Sequence, residues 1–174
     1  LTAPAEQGIL EGTDGQTLAP DTAITGAQAV TILDRVLGAE IPEAEPGVPW
    51  YVPAERTAEE LGILPTESNW DLTQPLCRAK AFWLLSNAVQ LRTTQTDCLR
   101  AFSDCNSLQS ELASAAAGLV QAGVVEGNDG LLRPQEEITR AEFITILYRL
   151  RGFGSEKALP LLAVQDGQTA REND

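Results

Sequence analysis

Arg140 follows Thr139 in the run Thr139-Arg140-Ala141-Glu142-Phe143, where a helix is expected to begin. A cation at the first helical position faces the positive end of the helix dipole and gains nothing from the helix itself. A helix start with free N–H groups beside a guanidinium is a receptor for a carboxylate or phosphate. The alternative is an ion pair with a carboxylate of a neighbouring segment, and the 25 Asp and Glu residues offer many. Arg78 occupies the same slot in Cys77-Arg78-Ala79-Lys80, with Lys80 close enough to crowd it. Asp129, just ahead of Gly130, either shapes a turn or accepts hydrogen bonds from a ligand beside Arg140. Trp70 falls in a loop, where it could stack on a sugar ring or cover the edge of a core.

Other chemistries are excluded or unsupported. The 174 residues contain no His, which removes every Ser-His or Cys-His catalytic unit from this chain. Cys77, Cys98 and Cys105 form no CxxC pair, so no zinc site is expected. Cys98 and Cys105 could close a short disulfide loop, or all three could stay reduced and mostly buried. Neither Asp14 nor Asp129 lies in a calcium loop, which needs acidic ligands at alternating positions. No pair of carboxylates is singled out for glycoside hydrolysis, so the expectation is a noncatalytic protein without cofactor or metal. A net charge of −13 argues against nucleic acid as a partner. No apolar run approaches the ~18 residues of a membrane span. With 43% hydrophobic residues the chain can bury a core. A start at Leu1, without Met, reads as a mature form or an excised piece of a longer protein.

The elements that must position these residues emerge from an internal repeat. Gly8-Ile9-Leu10-Glu11-Gly12-Thr13-Asp14-Gly15 resembles Gly123-Val124-Val125-Glu126-Gly127-Asn128-Asp129-Gly130. Each is followed by a Pro, at Pro20 and Pro134, and then by a helix-like run, from Ile24 to Gly38 and from Ile138 to Gly152. A more divergent middle copy runs through Leu61-Gly62-Ile63-Leu64 and Leu76-Cys77-Arg78-Ala79-Lys80-Ala81-Phe82-Trp83-Leu84-Leu85. Thr25, Cys77 and Thr139 are equivalent.

The second helix of each unit should start at a capping box, Thr25 with Gln28 and Thr139 with Glu142, and stop at Gly38 or Gly152. A leading helix precedes it, over Ser107 to Gly123 and, with Pro at its start, over Pro53 to Gly62. Trp50-Tyr51 and Phe102 should pin the incoming chain to the core. Trp83 is placed level with Val30 and Ile144, which favours core packing over sugar stacking. The units span 1–38, 50–91 and 102–153, joined by linkers at 39–49 and 92–101, with a C-terminal segment at 154–174. Each is too small to bury a core alone, so the three should share one.

Helix, Gly-Val-Val-x-Gly-x-Asp-Gly, then Arg133-Pro134-x-x-x-Ile138-Thr139-Arg140-Ala141-Glu142-Phe143 and an aliphatic helix resembles the S-layer homology domain. Thr139-Arg140-Ala141-Glu142 is that family's signature tetrad. The third unit matches throughout. The first has Gly26 in place of the Arg and lacks a full leading helix, and the second keeps only Arg78 and Ala79 of the tetrad. The resemblance implies an all-α fold, a pseudo-threefold arrangement of three helix-loop-helix repeats around a shared helical core. It also implies an extracellular, cell-wall or S-layer associated anchor that binds pyruvylated secondary cell-wall polysaccharide in grooves between repeats. Its polysaccharide-binding residues would be Arg140, Arg78, Asp129 and Trp70, the pyruvyl ketal supplying the carboxylate. The alternative is a degenerate module used for protein–protein interaction or surface assembly without glycan binding. Ala163-Val164-Gln165-Asp166 resembles the Phe-x-Asp lead-in to another leading helix, so the C-terminal segment could dock where the first unit lacks its own.

Overall fold

In the computed structural model, residues 19–66 and 69–151 are described, and they are all-α with no strand or sheet. The first-unit loop with Asp14, the stop at Gly152 and the segment 154–174 lie outside the described residues. The elements are α1 (Gly26–Val36), α2 (Val52–Glu60), α3 (Arg78–Ala88), a 3-10 turn (Asp97–Ala101), α4 (Ser110–Gln121) and α5 (Arg140–Leu150).

The capping boxes form as the residue types require. Thr25 Oγ1 accepts from the Gln28 N–H at 3.3 Å, and Gln28 Oε1 accepts from the Thr25 N–H at 3.2 Å. Thr139 and Glu142 repeat this at 3.2 and 2.9 Å. Cys77 caps α3 without any side-chain bond, because a thiol is a poor acceptor. Gly38 ends α1 with φ 73°, a conformation that costs glycine little. The leading helices are shorter than the periodicity suggests. Residues 107–109 stay outside α4, and the expected linker 92–101 contains the 3-10 turn.

Three lead-in segments bind one another in a closed cycle. The Ile24 N–H donates to the Ile138 carbonyl at 3.0 Å, the Ile138 N–H to Leu76 at 3.0 Å, and the Leu76 N–H to Ile24 at 2.8 Å. The helix starts join the same cycle. Gly26 and Ala27 donate to Gln74 and Leu72, Arg78 and Ala79 to Glu136 and Pro134, and Arg140 and Ala141 to Thr22 and Pro20. Each second helix is thus capped by the lead-in backbone of the next unit, and the third by that of the first.

The core runs continuously through all three units, with Ile24, Leu33, Phe82, Leu84, Leu85, Leu119, Ile138, Phe143 and Leu150 fully buried. Leading helix α2 packs on α1, and α4 packs on α3. Small residues make the approach close: Ala54 and Ala58 of α2 and Ala115, Ala116, Ala117 and Gly118 of α4 are buried. Two aromatic placements differ from expectation. Phe102 is buried and Tyr51 packs against the core, but Trp50 is 60% exposed, edge-on to Tyr51. Counting from the N-caps, Phe82 rather than Trp83 is level with Val30 and Ile144; Trp83 is buried nonetheless.

Candidate functional site

A groove of about 680 Å³ opens where the start of α3 meets the third unit. Arg78 comes from the second unit, and the Val124–Asn128 turn, Leu131–Arg133, Glu136, Glu137 and one side of α5 supply the rest. Its cations are Arg78, Arg133 and Arg149, and its carboxylates Glu126, Glu136, Glu137 and Glu142.

Each arginine is held by a different device. Arg78 Nη1 lies 2.9 Å from Glu142 Oε1, its Nε donates to the Leu132 carbonyl at 3.1 Å, and its guanidinium sits 5.4 Å from the Phe82 ring centroid. Glu142 therefore serves twice, with one carboxylate oxygen capping α5 and the other fixing Arg78. Arg149 Nη1 donates to the Val124 carbonyl at 3.1 Å. Arg133 is 4.0 Å from Glu136 and takes a positive φ of 56°.

Asp104 builds the groove wall from behind. Its Oδ1 accepts from the Leu132 N–H at 3.0 Å and its Oδ2 from the Arg133 N–H at 2.7 Å. Burial opposes ionisation of this carboxyl, but the N–H groups of Leu132 and Arg133 outweigh it and hold its pKa below the ordinary value. The loop tip is a two-residue turn with Asp129 at φ 51° and Gly130 at φ 71°, closed by paired bonds between Asn128 and Leu131 at 2.9 Å. Both positive φ values match a type I′ turn. Gly127 at φ 70° lies against Phe102, where an added Cβ would fall 2.5 Å from the ring.

The predicted site residues do not converge. Arg78 lines the groove; Arg140, Asp129 and Trp70 are not among its lining residues. Arg140 is 7% exposed, and burial lowers its pKa. The expectation of free N–H groups at its helix start is corrected: Arg140 and Ala141 donate to Thr22 and Pro20, and Glu142 to Thr139. The same holds at Arg78, where the Arg78 and Ala79 N–H groups donate to Glu136 and Pro134, so the backbone bonds do not distinguish the two arginines. Asp129 is exposed at the turn, its Oδ2 accepting from Asn128 Nδ2 at 3.1 Å. Trp70 is half-buried, edge-on to Trp83 at 6.0 Å, with Lys80 Nζ 4.9 Å from its ring centroid. Lys80 thus covers Trp70 rather than crowding Arg78. Gly26, which replaces the arginine in the first unit, has a structural cause: a Cβ there would lie 2.9 Å from Leu72 Cδ2 and 3.1 Å from Leu72 Cα.

Sequence reasoning missed Asp104, Arg133 and Arg149. Asp104 could have been found through Phe102-x-Asp104, the lead-in pattern noticed only at its C-terminal echo. Arg133 stands in the Arg133-Pro134 motif but is not singled out there as a binding residue, and Arg149 carries no local signal, because its place in the groove depends on how the loop folds over α5. All three thiols are free, with Cys105 buried and its Sγ 3.7 Å from Asp104 Oδ1. Burial and the Asp104 charge push the Cys105 thiol up to about 11.

Among the described residues no helix is long and apolar enough to cross a membrane, and no cluster of metal-ligating side chains occurs. No curated protein matches the chain. Residues 5–30 and 101–144 match the model of the S-layer homology domain, a cell-wall anchoring module, so the first and third units carry the S-layer homology pattern that their loops and tetrad suggest.

Proposed function

We propose that this chain is a noncatalytic anchor that holds an anionic, pyruvylated cell-wall polysaccharide in the groove between its second and third units. The observation that carries the reading is the groove itself, where Arg78, Arg133 and Arg149 face one cavity beside the glycine-rich turn. A pyruvyl carboxylate would displace Glu142 from Arg78 or bind beside it, a charge-assisted contact of the kind that arginine forks favour. The surrounding glutamates and the loop amides suit sugar hydroxyls. In this reading Arg78 is the first receptor. Arg140, buried at the junction of the third and first units, contributes by holding that junction, and Asp129 and Trp70 bind sugar only if the glycan extends past the groove. The bulk negative charge limits nonspecific adhesion of other anions while the local cations select one.

Calorimetric titration with a pyruvylated wall-sugar fragment tests this. Binding should fall at least about tenfold in Arg78→Ala, the loss of one charge-assisted contact, while Arg100→Ala, an exposed residue that does not line the groove, binds as the parent does. A parent that folds yet neither binds the fragment nor pellets with purified walls would overturn the reading. One observation favours the rival assembly module: at Gly26 the receptor slot is filled by Leu72. That module would ignore walls and self-associate in sedimentation.

A further inference from the structure

Glu142 holds two roles that the first unit separates. Its Oε2 accepts from the Thr139 N–H at 2.9 Å and closes the capping box of α5, while its Oε1 accepts from Arg78 Nη1 of the second unit at 2.9 Å. The first role needs no charge. At the equivalent position of α1, Gln28 closes the same box with its amide oxygen, 3.2 Å from the Thr25 N. A neutral side chain therefore suffices for the cap, and the negative charge of Glu142 is left with the Arg78 contact.

The two partners of that contact are held unequally. Arg78 also donates from Nε to the Leu132 carbonyl at 3.1 Å and lies against the Phe82 ring, and its side chain is only 15% exposed. The Glu142 side chain lines the groove and is 46% exposed. An ion pair with so wet a partner is weakly held, so Glu142 can give up Oε1 to solvent while Arg78 keeps its place. What Arg78 meets in the unliganded groove is thus a carboxylate, the same group that an anionic ligand would bring.

We propose that Glu142 is an internal competitor for Arg78, which sets the threshold that a ligand of the groove must pass. The inference rests on the groove's being a receptor for carboxylates and deepens that reading. A simple carboxylate that exchanges with Glu142 makes no contact that Glu142 did not make already, and it competes with a group tethered beside the guanidinium at high effective concentration. A larger anionic ligand that also reaches Arg133 or Arg149 adds bonds that the exchange alone lacks. Glu142 weakens both by the same factor, and only the larger one stays above the threshold, a selection made by an opposing element rather than by an added attraction.

Glu142→Gln tests this, with pyruvate as the simple carboxylate, followed by NMR titration, and the pyruvylated wall-sugar fragment as the larger ligand, followed by calorimetry. Gln28 shows that the variant can keep its cap, so its circular dichroism should match the parent's. Both probes should bind Glu142→Gln at least about fivefold more tightly than the parent, the weight of a partly exposed ion pair, and by a similar factor. In an Arg78→Ala background the same substitution should bring no gain. Glu111→Gln makes the same change of net charge at an exposed position that does not line the groove, and it should bind as the parent does. Pyruvate binding no more tightly to Glu142→Gln than to the parent overturns the proposal, and so does a gain that persists without Arg78, which would assign it to the field of the groove. A parent that binds the fragment while pyruvate shows no gain removes the competitor and leaves the anchor reading standing; a pyruvate gain with no fragment binding by either protein removes the anchor reading and keeps the competitor.

Discussion

Asp34 is fully buried in α1, and neither carboxylate oxygen has a partner. Desolvation raises its pKa from 3.8 to about 7. The folded state therefore keeps a proton that the unfolded state releases, and stability falls as pH rises from about 4 to about 7 before levelling off. Asp34→Leu should raise stability at pH 8 by roughly 1–3 kcal/mol, the cost of an unsatisfied buried polar group, and flatten this slope in urea titrations at pH 5 and 8. Asp104 has the opposite sign. Its lowered pKa means that its contribution is present above the ordinary carboxylate range and fades only in stronger acid. Asp104→Ala should free the Leu132 and Arg133 amides, weaken the groove's ligand binding and leave the far-UV spectrum of the helices intact.

At the scale of elements, close backbone approach decides what each helix tolerates. A Cβ on Gly118 of α4 would collide with the Leu91 carbonyl oxygen. Gly118→Ala should therefore destabilise by about 1–3 kcal/mol despite the better helix propensity of alanine, because overpacking outweighs it; thermal unfolding measures this. Gly26→Arg, which would restore the tetrad's cation in the first unit, should fail to add a binding site and should lower the melting temperature, since Leu72 occupies the space. The repeat was visible as matching stretches far apart in the chain, and both capping boxes and the helical stripes because they depend on residues three or four apart. Ser107 to Gly123 was read too long, since helical periodicity continues through 107–109 while the backbone there turns into the helix. Counted from the equivalent Thr25, Cys77 and Thr139, Phe82 is level with Val30 and Ile144, and Trp83 lies one position beyond it.

For the whole molecule, the closed cycle Ile24, Leu76 and Ile138 makes each unit depend on both others. Unfolding should then be one cooperative event. Trp50, Trp70 and Trp83 all lie in the second unit and Cys105 in the third, so tryptophan fluorescence and Cys105 labelling should share one denaturation midpoint. Separated midpoints would show independent units. The sequence by itself determined the all-α class, the S-layer homology pattern of the first and third units and the capping boxes at Thr25 and Thr139, because those follow from local pattern. Only the tertiary structure decided that Arg78 lines a groove together with Arg133 and Arg149. Arg78 and Arg140 occupy the same slot in sequence, but each is placed by the backbone of the next unit, Glu136 and Pro134 for one and Thr22 and Pro20 for the other. No local spacing encodes that neighbour, and it leaves Arg78 lining a groove and Arg140 buried.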